Sequence, residues 1–457
     1  MNRPVGNRIE ASFPTPLVRR SLAPTARAGV DAYEQLRHRA LDEVQRGGID
    51  PADGDQVRAL LHRLVEAYQA HATSGGGGRP LADPRAMMGR LERSLTQYGP
   101  LTPFLDGTLQ YEELLVHGDE VSYIASDGRL VVHDEPVTTD EVLHVVNKLL
   151  ATVGAAVDES RPIVQAQVLG GSGRLGVVIP PVADRIDVTL RRYLTRRETF
   201  EELIGWDAIS PPAADLLTIM LRTPTGMLIT GQPGSGKTTL ANALLRAAPP
   251  NLRVIACEDT PELSVGHLNG ARWRTRPPGP DGAGAVSLRD LVRVALGMRP
   301  DVIVVGETRG EEAYELTRAG NAGCGLISTI HANNARQGLN ALVSTASMAG
   351  PNVPPELVRT VFAQVVDLVI HTAREPEAAA GRRPARRQVM EIVAIPPLQG
   401  SDTDFTVEPI FTRDDFGAPL RWTGSPLPAD LEVRLERVLR PHGIRLVDLL
   451  DGTRRLP

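Results

Sequence analysis

Five short, predominantly apolar runs punctuate the middle and later part of the chain, at 227–230, 254–257, 302–305, 326–330 and 368–370, with helix-like segments between them. Runs of this length without alternation belong to strands buried on both faces. The pattern therefore predicts a mostly parallel sheet covered by helices, an α/β domain over 205–400. Residues 386–412 add two strand candidates expected to pair antiparallel. Residues 401–457 read as a strand/helix tail without legible chemistry.

Upstream the periodicity changes. Residues 31–72 carry helical spacing, with Leu36, Leu41 and Val44 followed by Val57, Leu60, Leu61, Leu64 and Val65. Ser74-Gly75-Gly76-Gly77-Gly78 reads as a flexible linker, so 31–80 is expected to be a helical segment ending in a Gly-rich joint. Residues 112–134 alternate and predict a small antiparallel meander. Thr139 is expected to cap a helix bearing Val142, Val145, Val146, Leu149 and Leu150. Residues 163–169 and 174–179 read as a hairpin. Together these predict an α+β module over 81–200. Residues 1–30, rich in Pro and Arg, are expected to lack structure.

Composition narrows the picture by exclusion. The 457 residues imply two or three folded units. A formal net charge of −5 does not point to nucleic acid. The two cysteines, Cys257 and Cys324, are too few for a disulfide framework or a zinc site. No apolar run approaches the roughly 20 residues of a membrane span, and the first residues lack the apolar stretch of a secretory signal. A cytoplasmic protein that reaches a membrane only by docking is expected.

The strongest chemical signal is Gly231-Gln232-Pro233-Gly234-Ser235-Gly236-Lys237-Thr238-Thr239, which satisfies G-x-x-x-x-G-K-[ST] between an apolar strand and an amphipathic helix. Glycines let backbone N–H groups turn toward phosphate oxygens, and the following helix presents its positive end to the same anion. Lys237 suits the β- and γ-phosphates. The Thr238 hydroxyl suits Mg²⁺, which prefers hard oxygen ligands. ATP and Mg²⁺ are the implied cofactors.

Ligands in open α/β sheets sit beyond the carboxyl ends of the strands, and two further strands deliver acids there. One is followed by Glu258, Asp259 and Glu262, the other by Glu307. Glu307 holds the place expected to act on Mg²⁺ or its water shell, with Asp259 a further candidate for the metal. Glu258, Asp259 and Glu262 compete for the water-activating base. A third strand ends at His331-Ala332-Asn333-Asn334, where a polar donor beside the γ-phosphate is expected.

Taken in order, GQPGSGKTT, CEDTPEL, MRPDVIVVGETRG and STIHANNARQGLNAL resemble the boxes of the type II/type IV secretion-superfamily ATPases, most closely the CpaF/TadA-like branch that drives tight-adherence pilus assembly. YGPLTPFL, VDESRPIVQAQV, GRLGVVIPPV and VDLVIHTAR extend the resemblance over about 95–400. It implies a RecA-like P-loop domain preceded by a smaller α+β domain that closes over the nucleotide about a hinge at 195–206. It also implies a homo-hexameric ring and a polytopic inner-membrane platform protein as partner, with no direct contact to nucleic acid. Glu262 matches the family's catalytic acid, Glu307 its Walker B glutamate and His331 its His-box histidine. Arg174, Arg185, Arg191 and Arg192 are the candidates for the basic residues that reach the nucleotide.

Gly297 and Asn321-Ala322-Gly323-Cys324 depart from the family pattern, which motivates a nucleotide-gated scaffold with little turnover as one alternative. A motor for conjugative or protein secretion is another. A small-molecule kinase lacks an acceptor-pocket signature. The basic run at 382–387 reads as a solvated loop.

Overall fold

The computed structural model describes residues 24–457 apart from 77, 127, 136, 193–197, 267, 277, 279–282, 377–384 and 399–403. Most of the 1–30 stretch, part of the 195–206 hinge and half of the basic run at 382–387 lie outside the described residues. The chain divides into two compact units. The first comprises the chain up to Tyr123 with Val131–Ala166 and Leu175–Thr189; the second comprises Ile124–Leu130, Gln167–Arg174 and Leu190–Pro457.

The first unit opens with three helices, α1 (Pro24–Gly47), α2 (Gly54–Thr73) and α3 (Pro84–Thr96). They close on a core that includes Leu36, Val57, Leu60, Leu61, Leu64, Val65, Leu91 and Leu95. Two expectations change here. Helix α1 already runs from Pro24, inside the stretch expected to be unstructured, and α3 belongs to the bundle although the break was expected at 80. The apolar stripe of α3 is short, so its membership appears only when its partners are in place.

A short helix α4 (Thr102–Leu105) leads to β1 (Tyr111–His117), β2 (Glu120–Ala125) and β3 (Leu130–Val132). Helix α5 (Thr139–Ala151) then precedes β4 (Ile163–Val168), β5 (Gly173–Val178) and β6 (Asp187–Arg192). The six strands form one sheet in the order β3-β2-β1-β6-β5-β4. Thr138, one residue earlier than expected, caps α5 in a reciprocal box with Glu141. Glu141 is 2% exposed and also accepts from Tyr33 Oη of α1 and, at 3.3 Å, from Arg90 Nη2 of α3. One buried carboxylate thus ties the bundle to α5.

The second unit contains α6 (Phe200–Gly205), α7 (Pro211–Met220), β7 (Gly226–Thr230), α8 (Lys237–Ala247), β8 (Val254–Glu258), β9 (Ala271–Arg274) and α9 (Leu288–Leu296). It continues with β10 (Val302–Val305), α10 (Glu312–Asn321), β11 (Gly325–Ile330), α11 (Ala335–Ser347), α12 (Pro355–Val365) and β12 (Leu368–Arg374). It ends with β13 (Arg387–Ala394), β14 (Glu408–Thr412), β15 (Arg421–Trp422), α13 (Ala429–Leu439) and α14 (Leu446–Leu450). The sheet order is β15-β14-β13-β12-β7-β11-β10-β8-β9. Neighbours from β12 to β9 pair parallel, and β13, β14 and β15 pair antiparallel.

Alternation explains why the strand sequences read as continuous apolar runs. Met227, Ile229, Val254, Ala256, Val302, Val304 and Ile370 point into one core. Leu228, Ile255, Cys257, Ile303, Val305 and Val369 point into the other. Strand β9 has no such run. As an edge strand it alternates half-buried and exposed positions, with Arg272 and Arg274 exposed, and its four residues escape pattern reading.

The tail is not an appendage. Leu420, Leu427, Leu431, Leu435, Leu439, Leu446, Leu449 and Leu450 complete the core that holds α7 and α8. Arg455 pairs with Asp215 of α7, and Arg434 with Asp367 at the start of β12. The expected division at 400 is therefore not a division of the core. Leu435 is fully buried. Leu435→Ala should lower unfolding free energy by about 2–5 kcal/mol, as for core leucines generally. Denaturant titration checks this, and a loss below about 0.5 kcal/mol would match a surface tail instead.

Candidate functional site

The loop 231–236 joins β7 to α8, and its backbone requires glycine. Gly236, the residue before α8, has a φ of 100°, in the left-handed region. A side chain at Gly231 would stand 2.3 Å from the Thr372 carbonyl oxygen of β12. No side chain caps α8. Its first N–H groups therefore face the loop, an arrangement suited to an anion.

Lys237 lies inside this turn, 7% exposed. Its ammonium donates to the carbonyls of Gly231 at 2.9 Å and Gln232 at 3.1 Å, and lies 3.2 Å from His331 Nδ1. Burial pushes its pKa down to about 8, against the opposing pull of Glu307 and Glu262. Burial also lowers the pKa of His331, and the Lys237 charge lowers it further, while the Glu307 charge opposes them.

The other ring nitrogen of His331 meets Glu307. Its Nε2 stands 2.7 Å from Glu307 Oε1, and that oxygen is buried without an aligned hydrogen bond. Glu307 Oε2 accepts from Arg309 Nη2 at 2.5 Å. Burial pushes the Glu307 carboxyl up, but Arg309, His331 and Lys237 more than offset this and hold it below its ordinary value. The result is a contiguous line, Lys237–His331–Glu307–Arg309. Sequence reading assigned Arg309 nothing. It stands two residues after Glu307, and its turn is set by Glu312 Oε1, which accepts from Arg309 N at 2.6 Å and Gly310 N at 2.8 Å.

The acids after β8 divide their work. Glu258 is 2% exposed, and its Oε1 accepts from Glu262 N and Leu263 N, both at 2.9 Å. Its carboxylate folds the segment that carries Glu262. Burial raises its pKa to about 7, which those two N–H groups partly counter. Glu262 Oε2 accepts from the Thr238 hydroxyl at 3.0 Å. Asp259 is exposed, its carbonyl accepts from Gln167 Nε2 at 2.9 Å, and its charge bears on Arg309.

Of the arginine candidates, Arg191 on β6 stands 4.0 Å from Glu262 Oε1. Arg185 lies 3.7 Å from Asp119. Arg174 and Arg192 stand on β5 and β6, with Arg174 exposed. Other loop residues are held by neighbours that periodicity did not single out. Gln232 Nε2 donates to Asn333 Oδ1 at 2.9 Å, and the Ser235 hydroxyl meets the Thr372 hydroxyl at 2.9 Å.

These residues fit a nucleotide triphosphate with its metal ion. The cradle at Gly231 leaves no room for a Cβ, the helix start lacks a cap, one Glu307 oxygen is buried without a bond, and the Thr238 hydroxyl and carboxylates are hard oxygen donors.

Residues 131–391 match the family described as Type II/IV secretion system protein. A putative conjugal transfer protein of Mycobacterium tuberculosis is 32% identical over 328 residues, covering 69% of this chain and 90% of the relative. Conjugal transfer protein TrbB of Rhizobium radiobacter is 28% identical, covering 59% and 81%. Type IV secretion system protein VirB11 of Bartonella quintana is 27% identical, covering 61% and 89%. The crystal structure of the VirB11 ATPase from Brucella suis overlaps 65% of this chain and 95% of its own at 25% identity, with a TM-score of 0.34. The chain belongs to the type II/IV secretion system protein family.

Proposed function

We propose that this chain is a Mg²⁺-dependent ATP hydrolase that works as a homo-hexameric motor on a pilus or secretion machine. The observation that carries the catalytic part is the convergence of Lys237, His331, Glu307 and Glu262 on one loop, with the contacts of 2.7–3.2 Å described above. The loop Gly231–Thr239 and the start of α8 would hold the phosphates, and Thr238 and Glu307, with Asp259 beside them, would hold Mg²⁺. Bound there, the ion supplies positive charge for the phosphoryl oxygens.

The chain's own groups account for the rest. Lys237 holds the loop shut through two carbonyls and can exchange them for phosphate oxygens without entering bulk water. His331 stands between Lys237 and Glu307, one ring nitrogen toward each, and sets their spacing. Glu262 takes the part of the base that orients water and accepts its proton, and Glu258 positions it. Arg191, close to Glu262, is the best placed of Arg174, Arg191 and Arg192 to act on the same reaction.

The tight-adherence pilus reading rests on the order of the four boxes and the flanking stretches. In it, the ring pushes or retracts pilin through a polytopic platform protein at the inner face of the membrane. No helix among the described residues is long and apolar enough to cross a membrane, in keeping with docking through that partner. A conjugative or protein-secretion machine is the second reading, favoured by the names of the relatives. The adjacent genes discriminate: pilin and platform genes support the first, relaxase genes the second.

Lys237→Ala should cut ATP turnover by about 100-fold or more; a purified variant with wild-type turnover would refute the site. Glu262→Gln should bind nucleotide within about threefold of wild type and lose about 100-fold in turnover, the size of a lost general base. The same phenotype in Glu258→Gln alone would move the base to Glu258. Chelating Mg²⁺ should stop phosphate release, and turnover persisting in chelator would remove the metal from the scheme.

A further inference from the structure

Beneath the phosphate loop lies a buried polar cluster that the catalytic scheme leaves unused. Thr230, the last residue of β7, is fully buried, and its hydroxyl lies 3.0 Å from Nδ1 of His371 on β12, itself 7% exposed. The next residue, Thr372, donates its hydroxyl to the Thr230 carbonyl at 3.2 Å and meets Ser235 of the loop. Across the sheet, His371 is in register with Glu391 of β13. Cross-strand partners present their side chains to the same face, and the Glu391 charge bears on His371. Glu391 Oε1 in turn accepts from the backbone N–H of Ala335 at 2.9 Å, the first residue of α11. The turn 331–334 between β11 and α11 carries His331.

The cluster closes on itself through packing. A side chain at Gly338 of α11 would stand 2.2 Å from the Thr230 methyl carbon. Thr230 therefore presses its methyl on the helix after the His331 turn and shares a hydrogen bond with His371 through its hydroxyl. Both ends of the Lys237–His331 contact are fixed to one buried point, the loop through Thr230 and the turn through Glu391 and α11. Buried polar groups of this kind need their partners, since an orphaned hydroxyl or imidazole carries a desolvation penalty.

We infer that His371 is a positioning residue that couples the phosphate loop to the His331 turn, so that Lys237, His331 and Glu307 keep one register during turnover. This rests on the ATPase reading above and adds to it a residue that touches neither the phosphates nor the metal.

The test compares His371→Val, which suits a strand but cannot bond Thr230, with His371→Asn, whose amide can replace Nδ1. Thr230→Val keeps the methyl against Gly338 and removes the hydroxyl. Expected is a drop in kcat of about tenfold in His371→Val, with nucleotide affinity within about threefold of wild type, as for a misplaced catalytic group. His371→Asn should recover most of the loss. The double variant with Thr230→Val should lose no more than either single change, because both remove one contact. Wild-type kcat in His371→Val, or losses that multiply in the double variant, would overturn the coupling. Wild-type protein without ATP turnover would overturn the functional reading instead. Amide hydrogen exchange at 331–335 then reads the coupling directly: faster exchange in His371→Val supports it, and unchanged exchange overturns it.

Discussion

A lysine ammonium withdrawn from water constrains the whole strand-tip end of the second unit's sheet. Taking such a group out of solvent costs several kcal/mol unless its protons find acceptors. Here the neighbours are two loop carbonyls and Nδ1 of His331. The loop must curl tightly enough to aim those carbonyls inward, which demands glycine at 231 and 236. The turn after β11 must deliver an imidazole, and that imidazole needs an acid on its far side, supplied by Glu307. Burial pushes the Lys237 pKa down to about 8, against the opposing pull of Glu307 and Glu262.

The sheet explains why these groups arrive together. Strands β8, β10, β11 and β7 lie side by side and run parallel, so their carboxyl ends open on one edge. Each contributes a segment there: Glu258 to Glu262, Glu307 to Arg309, His331 to Asn334, and the glycine loop. Short apolar strands between two helical layers set the spacing, and the chemistry lies in the first residues beyond them. The Thr308 hydroxyl on Ser328 at 2.6 Å and the Thr329 hydroxyl on the Gly306 carbonyl at 2.6 Å lock β10 to β11 just below the Glu307–His331 contact.

Much of this was legible because parallel strands and phosphate loops impose strong local patterns. All five apolar runs are strands, and the glycine loop, Glu262, Glu307 and His331 meet around Lys237. What escaped reading depends on partners distant in sequence. Strand β9 is an edge with one half-buried face, and α3 owes its place to α1 and α2. The tail, read as a strand/helix segment without legible chemistry, joins the core because the apolar surface its leucines cover belongs to residues some 200 positions earlier. Glu258, Glu262 and Asp259 all read as acids after a strand. Burial and backbone N–H groups, invisible in one dimension, separate the loop-folding Glu258 from Glu262 on the Thr238 hydroxyl. Arg309 and His371 follow no regular spacing and become meaningful only through what they touch.

The pairing of Arg455 with Asp215 joins residues 240 positions apart, and the leucines around it seal the same core. During synthesis, at about 5–20 residues per second, the apolar face of α7 would wait roughly 12–48 seconds for its cover to leave the ribosome. A nascent chain with that much uncovered surface is a natural client for holding chaperones. Stop codons a few dozen residues early would therefore yield insoluble product, even with every nucleotide-handling residue intact.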